Sequence, residues 1–374
     1  MVYLNAKTNL TYTMSDDIKS FIGDTIKKQN IYGRPIKKSE TVIIKVNIVG
    51  PFEPEKAACT HPEVVRMLVK ELKEIGTKTI IVEDCFDLKA PIISGIQRMA
   101  DEEQVEFINL KNHLYEEIKV RDYIYQYYRE IIDADHLILV PKLKTHLLTN
   151  YTGTIKLMYG AITKKQRIAF HRNNDQNNFA NILVDIFSIK LPTLAIMDGI
   201  TSMDGAGPTQ GYAKNTGLLL SSNDAVILDY YACTLMKYNP MEISMINSAF
   251  ERNLVNCLPS EVVLFGDDLK SFNHDFILLP NYNGQSRERF IRLILGSPVL
   301  IEEKCAGCQE CFYNCPFKAI QIVDNMPVID PKKCTYCFCC TELCPHQALI
   351  IKKTAISRFN EINKCDNTKW SDKE

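Results

Sequence analysis

The chain has 374 residues, 46% hydrophobic and 24% charged, with a formal net charge of -1. That balance suits a globular protein and argues against a nucleic-acid partner or a charged membrane surface. Met1 to Lys7 lacks the apolar core of a secretory signal, and every apolar run is too short to cross a bilayer.

Residues 1 to 40 are weakly patterned. A helix is expected over Asp16 to Gln29, where Ile18, Phe21, Ile22 and Ile26 share one face. Thr41 to Val49 is a β-branched run that reads as a buried strand. Thr60 and Glu63 form a capping-box pair around Pro62, predicting a helix that Gly76 ends. Lys78 to Glu83 is the next buried strand, which completes the β-α-β unit of a parallel sheet. Helix is then expected over Ile92 to Ala100, strand over Val105 to Leu110 and Glu117 to Val120, and helix over Tyr123 to Ile132. His136 to Pro141 is a third buried strand, and a helix start is expected within Tyr151 to Gly160. Asn178 to Lys190 is an amphipathic helix, and the strand Leu194 to Asp198 feeds a glycine loop, Asp204 to Gly211. Strand Gly217 to Leu220, helices Asp224 to Met236 and Met241 to Arg252, and strand Val262 to Phe265 follow. The alternation predicts an α/β fold, a mostly parallel open sheet with flanking helices.

The cysteines decide the next region. Cys305, Cys308, Cys311, Cys315-Pro316 and Cys334, Cys337, Cys340, Cys344-Pro345 each read C-x2-C-x2-C-x3-C-P. This is the ligand pattern of a bacterial ferredoxin with two [4Fe-4S] clusters. Three cysteines on a tight loop reach three irons of one cube, so the fourth must come from the other run. One cluster is therefore assigned to Cys305, Cys308, Cys311 and Cys344, the other to Cys334, Cys337, Cys340 and Cys315. Zinc takes four ligands from paired C-x2-4-C units, and a disulfide framework belongs to small secreted domains; neither matches two like tetrads. Cys339 is extra and reads as a free thiol. Pro298-Val299-Leu300 matches Pro327-Val328-Ile329, and Ala319-Ile320 matches Ala348-Leu349, at the offset of Cys305 to Cys334. The region is thus an internal duplication. The expected domains are an α/β substrate-binding domain over 1–296, in one or two lobes, a small α+β ferredoxin-like module over 297–352 and a polar tail over 353–374. The six other cysteines are scattered and read as reduced, which points to the cytoplasm, and the oxygen lability of cubane clusters points to an anaerobe.

In open α/β sheets, ligands bind beyond the carboxyl ends of the strands. Lys45 and Asn47 end the first buried strand there, Lys142, Lys144 and His146 the third, and Asp198 with Gly205 and Gly207 follows the fourth. Such lysines suit an anionic substrate, with His146 moving a proton near neutral pH. His61 and His171 are weaker candidates. Gly205-x-Gly207-x3-Gly211 departs from a dinucleotide fingerprint, because Pro208 interrupts it and a strand follows. It reads as a loop whose N–H groups cradle an anion.

Val42-Ile-Ile-Lys45-Val-Asn47, Val140-Pro-Lys142-Leu-Lys144-Thr-His146, Thr152-Gly153-Thr-Ile-Lys156-Leu-Met-Tyr-Gly160, Asp198-Gly199 with Asp204 to Pro208, and Ser222-Asn-Asp224-Ala-Val together resemble the domain of unknown function 362 family. The resemblance runs from about residue 40 to 352. It implies a C-terminal ferredoxin module and a fold distantly similar to the nickel-pincer lactate racemase scaffold, with no implication of nickel. Where the family has Lys-Pro-Asn and Lys-Asn, this chain has Lys45-Val46-Asn47 and Lys156-Leu157.

The leading expectation is an iron-sulfur oxidoreductase. Electrons from ferredoxin or another low-potential donor would reach a small, anionic organic substrate, with double-bond reduction favoured. Lys45, Lys142, Lys144 and Lys156 would hold its oxygens, with Asn47, Asp198, Gly205 and Gly207 lining the site. Two other readings are an electron-transfer subunit docking on a partner enzyme and a non-redox enzyme with structural clusters. Neither a flavin nor a homodimer is decided by the sequence.

Overall fold

The computed structural model describes residues 1–10, 15–85, 87–171, 176–278, 292, 296–352 and 354. The chain divides into two compact units, Met1–Pro280 and Asn281–Glu374. Apart from residue 354, the expected polar tail lies outside the described residues.

In the first unit the elements run β1 (Tyr3–Lys7), α1 (Ser15–Tyr32), β2 (Thr41–Val46), α2 (Pro62–Ile75), β3 (Lys78–Glu83), α3 (Ala90–Ile93), α4 (Ile96–Glu102) and β4 (Glu106–Asn109). Next come β5 (Tyr115–Val120), β6 (Tyr123–Tyr128), α5 (Arg129–Ile132), β7 (His136–Val140), β8 (Lys142–His146), β9 (Asn150–Thr152), α6 (Thr154–Leu157), α7 (Lys164–Phe170) and α8 (Gln176–Ile189). β10 (Leu194–Asp204), β11 (Tyr212–Ser222), α9 (Ala225–Leu235), α10 (Ser244–Glu251) and β12 (Val263–Gly266) complete it.

The main sheet is ordered β12-β1-β11-β10-β7-β2-β3-β4, with β8 and β9 attached at β10. Its centre is parallel: β2 pairs with β3 and β7, β3 with β4, and β10 with β7 and β8. β11 lies antiparallel to β10 and β1. Alternation sends Ile43, Val82, Leu139 and Ala195 to one face, with Ile155, Phe179 and Val226 of α6, α8 and α9. Val42, Ile44, Ile81 and Ile138 go to the other, with Phe21, Leu68 and Met99 of α1, α2 and α4. The helices change face where strand order reverses, between β2 and β7. That is the topological switch point at which open α/β sheets bind ligands.

Several expectations change in detail. Tyr123 to Ile132 is strand β6 followed by one helical turn. Tyr125 and Tyr127 are fully buried while Ile124, just before them, is 53% exposed, and this period of two won over helix propensity. The Thr60 capping box does not form. His61 is the N-cap, its Nδ1 accepting the Glu63 N–H, because the Thr60 side chain is used elsewhere. The expected helix over Ile92 to Ala100 is divided by Gly95, left-handed at φ 77°. Pro141 interrupts the edge of β10 without ending it: β7 pairs with the start of the 11-residue β10, and β8 pairs further along.

The second unit contains β13 (Ser297–Leu300), α11 (Glu310–Tyr313), β14 (Ile320–Val323), β15 (Met326–Ile329), α12 (Cys339–Glu342) and β16 (Leu349–Lys352). The duplication is structural. Gln309 and Phe338 cap the matched helices in the left-handed region, as do Gly307 with Tyr336 and Lys318 with Gln347 at matched turns. The strands pair crosswise: β13 with β16, and β14 with β15.

Candidate functional site

The crossed strands bring the cysteine runs together. Ile301 donates its N–H to Ala348 O at 2.7 Å, and at the matched position Asp330 donates to Ala319 O at 2.7 Å. Each bond seats the remote cysteine of one half beside the loop of the other. One cavity, enclosing about 360 Å³ and partly open to solvent, is lined by Cys305, Cys308, Cys311 and Cys344. A second, of about 340 Å³, is lined by Cys315, Cys334, Cys337 and Cys340. Each set of four cysteines lines a single void. Cys344 Sγ accepts the Ala348 N–H at 3.2 Å and Cys315 Sγ the Ala319 N–H at 3.3 Å. Four thiols around a void, with N–H donors already aimed at two of the sulfurs, fit a cubane cluster. Cys339 is buried, lines neither cavity and hydrogen-bonds the Cys337 side chain. We expect Cys339→Ser to retain full iron content, and loss of about half the iron would make it a ligand.

In the first unit, Thr60 ties the ends of β2 and β7. Its N–H donates to Asn47 O at 2.8 Å. Its Oγ1 accepts the Asn47 N–H at 2.9 Å and donates to Val140 O at 2.6 Å. Asn47 Oδ1 is buried and has no hydrogen-bond partner among the described residues.

Two polar groups flank this point, one on each face of the sheet. On the α2 face, Lys142, Lys144 and His146 alternate with Leu143 and Thr145 along a fully buried β8. Lys142 Nζ meets Asp198 Oδ2 at 2.8 Å, and the same oxygen accepts the His61 N–H at 2.7 Å. Lys144 Nζ donates to Ala58 O at 2.6 Å and Pro208 O at 3.5 Å. His146 Nδ1 accepts the Leu148 N–H at 3.0 Å, so the neutral ring carries its proton on Nε2. On the α8 face, Lys45 Nζ meets Glu83 Oε1 at 2.8 Å. Gly160 packs on this pair: a Cβ there would come within 2.7 Å of Glu83 Oε1 and 2.8 Å of Lys45 Nζ. Lys156 lies 5.4 Å over the Tyr159 ring. His171 meets the Tyr159 ring edge-on and stacks on Phe179, its pKa pushed down to about 3 by burial and then by Lys156 and Arg167. Arg167 meets Asp84 at 2.7 Å, and the Tyr128 hydroxyl donates to Asp84 at 2.6 Å.

The structure therefore gathers the expected residues at the carboxyl edge but separates them. Lys45 and Lys156 stand on the opposite face from Lys144 and His146, so one pocket lined by all four is not what the fold builds. Lys45 and Lys142 are matched by carboxylates, which neutralises the charge assigned to a substrate. The glycine loop is no free anion cradle: the Gly205 N–H donates to Ile277 O at 3.1 Å and the Gly207 N–H to Gly205 O at 2.9 Å. It covers β8 instead. Thr145 Oγ1 donates to Gly205 O at 2.9 Å, and a Cβ on Gly207 would come within 1.9 Å of Thr145 O. Glu83, Asp84, Arg167 and Thr60 escaped sequence reasoning. Glu83 had a signal, since an acid closes the buried run of β3 as Lys45 nears the end of β2.

Breaking the Lys142 pair has a calculable result. Asp198→Ala leaves a buried ammonium unmatched, and urea unfolding should show a loss of about 3–5 kcal/mol. A loss under about 1 kcal/mol would mean that water or another acid replaces the partner.

Among the described residues no helix is long and apolar enough to cross a membrane. The model of the family described as "Domain of unknown function (DUF362)" matches residues 42–234, and that of a 4Fe-4S dicluster domain matches 297–345. A thylakoid-associated protein of Synechocystis, sll1697, is 26% identical over 235 residues, covering 62% of this chain and 73% of the relative. The lactate racemase apoprotein from Thermoanaerobacterium thermosaccharolyticum aligns at a TM-score of 0.37 with 14% identity. That alignment covers 58% of this chain, which spans about half of that structure (53%). With its first unit matched over more than half of the whole sequence and an iron-sulfur module after it, the chain belongs to the DUF362 family, in a form that carries a 4Fe-4S dicluster domain.

Proposed function

We propose that the protein is an iron-sulfur oxidoreductase with two [4Fe-4S] clusters. Cys305, Cys308, Cys311 and Cys344 would hold one, and Cys334, Cys337, Cys340 and Cys315 the other. The clusters would supply one-electron transfer at low potential. The α/β unit would bind a small organic anion at the switch point on the α2 face. Lys144 supplies the positive charge and Asn47 Oδ1 a hydrogen-bond acceptor. His146 delivers the proton that must accompany reduction. Lys142, Asp198 and Thr60 hold these groups in place.

One observation carries this reading. The Leu148 N–H on Nδ1 puts the His146 proton on Nε2, two residues from Lys144 on the same face of β8. A cation and a proton donor side by side at a switch point suit an anion that gains electrons and a proton. The test is a screen of unsaturated carboxylic acids with a low-potential donor under anaerobic conditions, with binding followed by calorimetry. Binding or turnover lost in His146 and Lys144 variants supports the site. Turnover indifferent to both would place the chemistry elsewhere. A cytoplasmic location belongs to this proposal too, beside a relative described as thylakoid-associated.

A second reading, an electron-transfer subunit without its own substrate, draws on α11. Phe312 is 40% and Tyr313 70% exposed directly after Cys311. Exposed aromatics beside a cluster are what a partner enzyme would cover.

A further inference from the structure

The duplicated module supplies its own control, because each surface position in one half has a counterpart in the other. The two ends differ in charge. Before the first cysteine of run one stand Glu302, Glu303 and Lys304; at the matched positions of run two stand Pro331, Lys332 and Lys333. All six are exposed. The turn after the remote cysteine differs in the same sense. Lys318 and Gln347 are both exposed and left-handed, at φ 51° and 50°. Lys318 stands between Phe317 and Ala319, which both line the second cavity, and Ala319 accepts the Asp330 N–H. Asp330 offsets part of this charge: its Oδ1 caps the Lys332 N–H at 2.9 Å, and Oδ2 lies 3.9 Å from Lys333. The turn after the remote cysteine has the same left-handed backbone in both halves, so its geometry does not account for Lys318.

We infer that the rim of the second cavity, Lys318, Lys332 and Lys333, is the docking surface for an acidic one-electron carrier protein. The inference rests on the two-cluster reading above. Complementary charge steers a carrier to the edge nearest the acceptor and turns away a carrier of the wrong sign. The acidic Glu302–Glu303 end repels the same carrier, so a single orientation is selected on one module. The transfer is one electron: the reduced carrier is oxidised by one, the cluster held by Cys315, Cys334, Cys337 and Cys340 is reduced by one, and no bond or proton moves.

The experiment uses the full chain, reconstituted anaerobically, and an acidic bacterial ferredoxin as the probe. Association is measured by calorimetry at low and moderate ionic strength, and contacts are mapped by carbodiimide cross-linking of lysines to carboxylates. The double variant Lys332→Glu/Lys333→Glu should weaken association by roughly 10- to 100-fold at low salt, with the difference shrinking as salt screens it. Lys318→Glu, in the other half of the sequence, should act in the same direction, which guards against local damage to the Asp330 loop. Glu302→Lys/Glu303→Lys should leave association unchanged or stronger. Iron content and reduction by methyl viologen should not change in any variant; a wild-type chain without clusters would defeat the two-cluster reading, while carrier binding still tests the surface. Unchanged affinity in both lysine variants, or cross-links confined to Lys304, would overturn the inference. So would binding of anionic lipid vesicles, lost in the lysine variants, with no binding of the carrier.

Discussion

Cys344→Ser should remove the cluster held by the first cysteine run, although residue 344 stands in the second. The reason is the crossed pairing of β13 with β16 and the Ile301–Ala348 bond, which set Cys344 beside Cys305, Cys308 and Cys311. Serine is a poor iron ligand, and the remaining thiols hold three corners of a cube. About half of the bound iron should be lost, with the spectrum of the other cluster intact. Cys315→Ser should do the mirror image, removing the cluster bound by Cys334, Cys337 and Cys340. If Cys344→Ser instead spared the first cluster and disturbed only the second, the ligation would follow the sequence runs and the crossed assignment would fail.

The second large effect concerns proton delivery. His146→Ala removes the Nε2 proton donor, and the reductive step should slow by roughly 10²–10⁴-fold if His146 is the general acid. Lys144→Met should act on affinity, weakening anion binding by about 1.5–3 kcal/mol through loss of a charge-assisted hydrogen bond. Lys144 also holds the Ala58 and Pro208 carbonyls, so the thermal midpoint of each variant must be compared with wild type. Neither change should alter iron content or reduction by dithionite. Full turnover in both variants, with folding intact, would remove β8 from the mechanism.

The module was legible because its signal is local. Ligand spacing and the following proline lie within one short run, the same run returns at a fixed offset from Cys305 to Cys334, and a cubane tolerates little variation in such a loop. The parallel centre of the sheet was legible for a similar reason, since β2, β3 and β7 each carry a short β-branched or aliphatic run. β6 was not, because Tyr123, Tyr125 and Tyr127 alternate in a stretch short enough to suit either period. The charge pairs were hidden more deeply. Lys45 and Glu83 are 38 residues apart, and Lys142 and Asp198 are 56 apart. They meet only because β2 lies beside β3 and β8 beside β10. A lysine inside an apolar run signals that a partner exists without saying which. Whether that partner is a substrate or a carboxylate of the fold depends on strand order, which no local pattern encodes. The glycine loop misled for the same reason: its amides are satisfied by Ile277 and by the loop itself, partners that the motif does not contain.

The measurement that bears most directly on the two-cluster account is metal and sulfide analysis of the full chain after anaerobic reconstitution, combined with electron paramagnetic resonance of the reduced protein. The account predicts about 8 irons and about 8 acid-labile sulfides per chain, with two magnetically interacting cubanes on reduction. About 4 irons per chain, or stoichiometric zinc without labile sulfide, would contradict it.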